Sequence, residues 1–550
     1  MSEETDRSRS ISRRGVIAGS AALAASASIP RLASAAPPAK YKRWNLSDPN
    51  CPPRVLDSYK KAIRAMLALP PADPRNWYRH ALIHTLDCPH GNWWFLPWHR
   101  GYLGWFERIC RELSGDPDFA LPYWDWTQEP RIPKVMFEDV LDPGQSPFVA
   151  SGDAFRSQFN DAIAKAGYWA LSSDGSPSPQ YEQLLIRSIR FPDDLWFDIL
   201  KNPGGHMFFD KDQARTLTKD KPDLADYAQT AVALPSVLDA LGPRDFVSFA
   251  SGKTRAHSSA AVLGVLESQP HNLVHRSIGG FMSDLMSPTD PVFFLHHSNI
   301  DRLWDVWTRK QLAYKYPILP DGYPAQPGDK PKAGSDYAAW AAENFLFFVD
   351  AKGNPVQQDT AEAYAAIGDF DYDYSPGSGD AVVPVAPQVA AVATVVQQPL
   401  AAALSTRQVG GGTVTNAAVR LPAALVHQQA DPLQAKLFAS VTVDLPPHGD
   451  EDYDVYLRRL NGTLQFVATL AMFGHHHVHG PVTFQVPLSA ALSTLQADQM
   501  LDANPTLDLQ VVARAKAAGP HLMMGHAAPA APAAAPGGPS PVTAISLRQL

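Results

Sequence analysis

The residues of this chain best suited to chemistry are its histidines. Eight of the 18 lie in two short windows: His80, His84, His90 and His99, then His271, His275, His296 and His297. Residues four apart on a helix share one face, so His271 and His275 present two imidazoles to a single ion. His297, from the next helix, completes a three-imidazole set. The first window offers the same count, with His84 on a helix, His90 in a loop after Pro89 and His99 on the helix that follows. Two such sets in one bundle would hold two metals side by side. Neither window contains Glu-x-x-His, the motif of carboxylate-bridged di-iron bundles. All-imidazole sets suit copper or zinc. Two three-histidine coppers can bind O2 between them, whereas a zinc hydrolase wants a neighbouring carboxylate as base.

These side chains need helices to aim them. Arg54 to Leu69 places Leu56, Tyr59, Ile63 and Met66 on one face. Asp73-Pro74 supplies an N-cap and a first-turn proline for a second helix, and a third starts near Pro97 and runs through Leu113. Pro270 opens a short helix that Gly279-Gly280 ends, and Asp290-Pro291 opens another that reaches about Arg309. At least four helices can therefore pack as a bundle.

The stretch from Gly377 to Thr415, rich in Ala, Val, Pro, Gln and Gly, reads as a linker. Beyond it the period changes to two. Val441, Val443 and Leu445 alternate with Ser440, Thr442 and Asp444, and the pattern recurs at Tyr453-Val455-Leu457, Leu464-Phe466-Ala468, Val482-Phe484-Val486 and Leu507-Leu509-Val511. A second, all-β sandwich-like domain is expected. Pro529 to Pro541 carries five prolines in thirteen residues and reads as a disordered tail. The expected division is a signal over 1–35, a helical, histidine-bearing domain over 36–376, a linker over 377–415, a β domain over 416–526 and a tail over 527–550.

Composition limits the partners. The 550 residues are 45% hydrophobic and 19% charged, with a net charge of −8, so no overall basic field attracts nucleic acid or an anionic membrane. Three cysteines, Cys51, Cys88 and Cys110, permit at most one disulfide. Ser12-Arg13-Arg14-Gly15-Val16-Ile17, the apolar run Ala18 to Ile29 and Ala33-Ser34-Ala35 resemble a twin-arginine export signal, too short to span a membrane. Removing residues 1–35, with five arginines against three acids, leaves 42 basic against 52 acidic residues and a net of −10.

Two long motifs carry a family resemblance. His90-Gly-Asn-Trp-Trp-Phe-Leu-Pro-Trp-His99-Arg-Gly-Tyr-Leu-Gly-Trp-Phe-Glu107 and Asp290-Pro-Val-Phe-Phe-Leu-His296-His297-Ser-Asn-Ile-Asp301 are similar to the two copper-binding signatures of tyrosinases, catechol oxidases and molluscan hemocyanins. The resemblance covers residues 44 to 375. It implies a four-helix bundle around a type 3 copper pair, with copper A held by His84, His90 and His99 and copper B by His271, His275 and His297. His296 would be a neighbour, since the family uses the second of the paired histidines. The six positions from His84 to His90 are fewer than the family's usual loop, which makes His80 a competitor for first ligand. Trp77, seven positions before His84, favours His84.

Further roles follow from the same resemblance. Cys88-Pro-His90 resembles the Cys-x-His whose cysteine is joined to the ligand imidazole by a thioether. Glu267 and Asn272 are similar in position to a pair that holds a water able to take a phenol's proton. Arg276 would guide acidic substrates, and Phe281 to Met286 covers the family's gate position. Phe345 to Asn354 resembles the segment after the core in plant enzymes, Tyr372-Asp-Tyr374 marks the core's end, and the β domain resembles one that shields the copper site in latent forms. His475 to His479 fall near a strand end of that domain, where an exposed turn is favoured over a copper relay.

The expected activity is oxidation of phenols and o-diphenols to o-quinones by O2 at two coppers, latent until the β domain is removed. The alternative for the same site is a hemocyanin-like O2 carrier without turnover. Partners would be small phenols and O2, without nucleic acid or a membrane span; export as a folded protein leaves room for a copper-delivery partner.

Overall fold

The computed structural model describes residues 38–145, 159–195, 214–257, 259–323, 332–357, 359–385, 400–409, 412–421, 436–445, 452–471, 473, 480–501, 505–514 and 541–549. Residues 1–35, expected as an export signal, and His475 to His479 lie outside them.

Five helices frame the histidines: α1 (Pro53–Ala68), α2 (Trp77–Asp87), α3 (Phe95–Ser114), α4 (Asn272–Ile278) and α5 (Val292–Tyr314). The last four form the bundle that the histidine spacing requires, and all of α2 is buried. The N-cap of α2 is Asn76, not Asp73. The Asn76 side chain accepts from the N–H groups of Tyr78 and Arg79, at 3.1 and 3.2 Å, while Asp73 is turned onto Arg75. Gly101 on α3 lets Phe348 lie against the helix backbone, since a Cβ there would meet its ring at 2.7 Å. Asp290 starts α5 by accepting the Val292 N–H at 2.9 Å, and Arg215 grips the same carboxylate.

The ends of the core are tied by a buried ionic network. Strand β1 (Tyr41–Arg43) pairs in parallel with a later strand, β3 (Tyr372–Tyr374). Arg43 reaches Glu107 of α3 at 2.9 Å and Asp301 of α5 at 3.2 Å, and Asp301 also takes Arg100 at 2.7 Å and the hydroxyls of Tyr372 and Tyr374. Burial alone would raise the Asp301 carboxyl, but Arg100 and Arg43 hold it below its ordinary value. Truncating either arginine would strand a buried charge, so the network fixes which ends of α3 and α5 face each other.

Two five-stranded sheets follow. The strands are β4 (Leu400–Ala401), β5 (Ala403–Val409), β6 (Gly412–Arg420), β7 (Leu437–Leu445), β8 (Tyr453–Arg458), β9 (Leu464–Leu470), β10 (Gly480–Pro487), β11 (Thr506–Ala513) and β12 (Val542–Gln549). Adding β2 (Val262–Leu263) from the core, the orders are β2-β10-β7-β12-β4 and β5-β6-β11-β8-β9. Val441, Val443, Val455, Leu457, Val482, Phe484, Leu509 and Val511 pack into one core between the sheets, as the period of two requires.

Two of the expected boundaries change. Strands β4 and β5 and the start of β6 lie within the 377–415 segment expected as linker, because Leu400 and Ala401 complete the sheet against β12. The tail expected over 527–550 contains β12, which is paired on both sides, with β7 and β4. Its apolar residues Val542, Ile545 and Leu547 are buried there, which offsets the entropy of ordering the segment.

Candidate metal centre

The two histidine windows become two buried groups, His84, Cys88, His90 and His99 in one and His271, His275, His296 and His297 in the other, each with its ligand atoms within 4.8 Å of one another. The two groups adjoin: the rings of His99 and His297 stack at 4.3 Å, and His90 and His271 lie 5.7 Å apart. His80 is outside. It stacks on Tyr102 at 4.7 Å, one turn earlier on α2, and packs against Phe106 and Phe294.

Hydrogen bonds set the tautomers. His84 Nδ1–H donates to the Leu285 carbonyl at 2.7 Å, His99 Nδ1–H to Phe95 at 2.8 Å and His275 Nδ1–H to Met282 at 2.6 Å. His271 Nδ1–H donates to Asn272 Oδ1 at 2.8 Å. A carbonyl oxygen can only accept, so each of these rings carries its proton at Nδ1 and keeps a lone pair at Nε2. His84 Nε2 and His271 Nε2 are buried without a hydrogen-bond partner, and His275 Nε2 lies 3.0 Å from His297 Nε2. Orphaned lone pairs converging in a closed space are what a metal satisfies. Burial drives His99 down to about 3 and holds His84, His271, His275 and His297 well below the ordinary value, so these imidazoles are neutral. The donor set fits copper.

His296 differs. It accepts Trp126 Nε1–H at Nδ1, 3.2 Å away, and so carries its own proton at Nε2. A ring with a protonated Nε2 has no lone pair to offer there, in keeping with a neighbour's role. The segment Phe281 to Met286 supplies the Met282 and Leu285 carbonyls that orient His275 and His84.

Cys88 Sγ lies 3.5 Å from His90 Nδ1 and 3.7 Å from its Nε2, and 3.4 Å from His99 Nε2, so the thiol packs against both imidazoles. Its carbonyl accepts from Arg187 at 2.8 Å, which also holds the Thr85 carbonyl at 3.1 Å. Cys51, Cys88 and Cys110 are all unbridged.

Glu267 is fully buried and pushed up to about 8 by that burial, although Ser251 and the Gly91 N–H, at 2.7 Å, bond it. Glu267 and Asn272 are not joined by a hydrogen bond. Asn272 Oδ1 is taken by His271, and its Nδ2 donates at 3.1 Å to the carbonyl of Ala471 in the β domain. Arg276, expected to guide acidic substrates, is ion-paired at 2.9 Å with Asp452 of that domain.

One residue at the centre was not anticipated. Phe473, just beyond β9, inserts its ring among the histidines, stacked on His275 at 4.0 Å and within 5.0 Å of His90 and 5.6 Å of His271. Phe293 stacks on His297 from the core side at 4.0 Å, and Phe95 meets His99 at 4.6 Å. Three phenylalanine rings therefore pack against the imidazoles.

Residues 74–310 match the family model described as the common central domain of tyrosinase. The chain is 27% identical over 341 residues to a chloroplastic polyphenol oxidase of Spinacia oleracea, covering 55% of this chain and 42% of that protein. It is also 27% identical over 339 residues to tyrosinase HcTyr1 of Hahella sp. (strain CCB-MM4), covering 55% and 57%. The chain thus spans about half the length of these relatives. Among solved structures, latent aurone synthase (polyphenol oxidase) superposes with a TM-score of 0.52 at 20% identity over 93% of this chain and 92% of that one. That likeness shows the fold, a helical core followed by an all-β domain.

Proposed function

Since the chain belongs to the tyrosinase and polyphenol oxidase family and has its dinuclear copper site, we propose that it oxidises phenols and o-diphenols to o-quinones with O2, and that it is latent while Phe473 is seated. The observation that carries this is the convergence of imidazoles whose Nδ1 protons are committed to oxygen acceptors, leaving Nε2 toward a shared centre. His84, His90 and His99 would hold one copper and His271, His275 and His297 the other. Bound there, the pair supplies the redox chemistry with O2.

The chain's own residues do the rest. Phe293 and Phe95 wall the centre with apolar surface, which excludes water and admits a flat ring. The Phe473 ring stacks where a phenol ring would have to lie, so the β domain competes with substrate. Asn272 Nδ2, held by the Ala471 carbonyl in the closed chain, is freed when the β domain leaves; with Glu267 it would then orient the water that takes the phenol's proton. Arg276, released from Asp452, would attract acidic substrates. Cys88 and His90 would be joined as a thioether, the thiol S–H and one ring C–H being lost as two protons and two electrons to O2, and that bond would pin a ligand that no helix carries. Residues 1–35 would direct export; among the described residues no helix is long and apolar enough to cross a membrane.

The test is oxygen uptake with catechol and with a monophenol on the copper-loaded chain, intact and as Phe473→Ala. The variant should turn over catechol at least about tenfold faster than the intact chain, through loss of a well-packed aromatic plug. Full copper loading with no oxygen uptake by the variant would contradict the enzymatic reading and favour an O2 carrier.

A further inference from the structure

The β domain meets the core along a seam that has its own chemistry. A cavity of roughly 160 Å3 lies in it, lined by Tyr227, Asp239 and Gln269 from the core and Phe466, Ala490 and Ala491 from the β domain. Asp239, near the end of the core helix Leu234–Ala240, is 4% exposed, and its Oδ2 has no hydrogen-bond partner. The rest of its carboxyl group is held from across the seam, by the Ser489 side chain and the Ala490 N–H in the first turn of the helix Ser489–Ala497. Closing the seam therefore takes a solvated carboxylate out of water with half of it unpaired, a cost that protonation lowers by removing the charge.

We propose that Asp239 is a proton-operated latch: the β domain closes on the core with Asp239 protonated, and opening the seam releases that proton to water. The balance is one carboxyl group in the closed form against one carboxylate and one hydrated proton in the open form.

The surroundings give the direction. Burial pushes Asp239 up to about 6, against the pull of Lys436 from the start of β7, of Ser489 and of the Ala490 N–H. Tyr227 on the helix Asp226–Val232, Gln269 on the turn before α4 and Gln465 on β9 line the same cavity, all neutral. Behind the Asp239 helix, Lys310 Nζ donates to the carbonyls of Leu241, Gly242 and Pro243, and burial draws it down to about 7. Elsewhere between the domains Asp452, raised by burial, faces Arg276 and Arg514. Once the seam opens, Asp239 returns toward its ordinary 3.8. A group whose value is raised in the closed form stabilises closure fully below the open-form value and loses that contribution as pH rises through the closed-form value. The latch is thus tight in acid and weakens through pH 6.

The latch deepens the latency reading, on which its consequence for turnover rests. Its test is independent of turnover, so the two can fail separately. The Thr483 amide on β10 donates across the seam to the Ala261 carbonyl at 3.0 Å, beside the parallel pairing of β10 with β2. Its hydrogen-exchange protection, divided by the intrinsic exchange rate at each pH, reports opening in the full-length protein. Protection should fall about tenfold from pH 5 to pH 8 by proton linkage. Asp239→Asn should lose that fall and stay protected at pH 8, and Lys436→Met should move the midpoint upward by removing the opposing cation. Protection that is flat in the natural protein, a variant Asp239→Asn that keeps the fall, or a midpoint that does not rise in Lys436→Met would each overturn the latch.

Discussion

The two halves of the centre are built to different plans. His271, His275 and His297 are carried by helical backbone, with His271 and His275 one turn apart and His297 in the first two turns of α5. In the other half His84 and His99 sit on helices while His90 stands in the loop between α2 and α3. A helix fixes a side chain through its own ladder of hydrogen bonds. A loop ligand needs pins from elsewhere, and this one has several: Arg187 on the Cys88 carbonyl, Cys88 Sγ against the imidazole, Glu267 on the Gly91 N–H, and the Ala261 N–H on the Gly91 carbonyl. The lesson is that the loop half is held by distant segments, including the β2 edge that pairs with the β domain, and the helical half mostly by its own.

That contrast can be broken in order of severity. His275→Ala should leave one copper per chain by elemental analysis and lower turnover by roughly 10^3 or more, because the paired site acts as a unit. His90→Ala should do the same from the other side; if either variant kept two coppers, its ligand role would be wrong. Arg187→Met should be selective, with chelators stripping the loop-side copper about ten to a hundred times faster while the helical side is retained, as expected for the loss of a positioning group. Equal loss from both sides would erase the distinction between the halves. Asn76→Ala, which uncaps α2 a full two turns before His84, should cost only about 1 kcal/mol in denaturant unfolding and leave both coppers in place.

The same contrast explains what was legible in the sequence. Helical histidines that share a face announce themselves by spacing, as His271 and His275 do, and the long motifs around His99 and His297 pointed to the other members of the two buried groups. The choice of His84 over His80 rested on Trp77, and the fold separates the two by turning His80 onto Tyr102. Phe473 was not legible, because its role exists only after β9 docks against residues some 170 or more positions earlier in the chain, and a single phenylalanine has no period to betray it. Trp126, which sets the His296 tautomer from 170 positions away, is hidden for the same reason. Strand β5 hid within a low-charge Ala/Ser/Thr/Gln stretch, and β12 hid behind prolines, since composition describes a segment and pairing depends on its neighbours. Asn272 and Arg276 adjoin His271 and His275 on one helical segment. Their partners in the closed chain, Ala471 and Asp452, come from the other domain.

The central claim is that two coppers sit in the two imidazole sets beneath the Phe473 ring. Anomalous diffraction at the copper edge from crystals of the copper-loaded, full-length protein tests it most directly. Two peaks are predicted, one bounded by His84, His90 and His99 and the other by His271, His275 and His297, with the Phe473 ring beside them. A single peak, a peak bound to His80 or His296, or a Phe473 side chain lying outside the centre would contradict it.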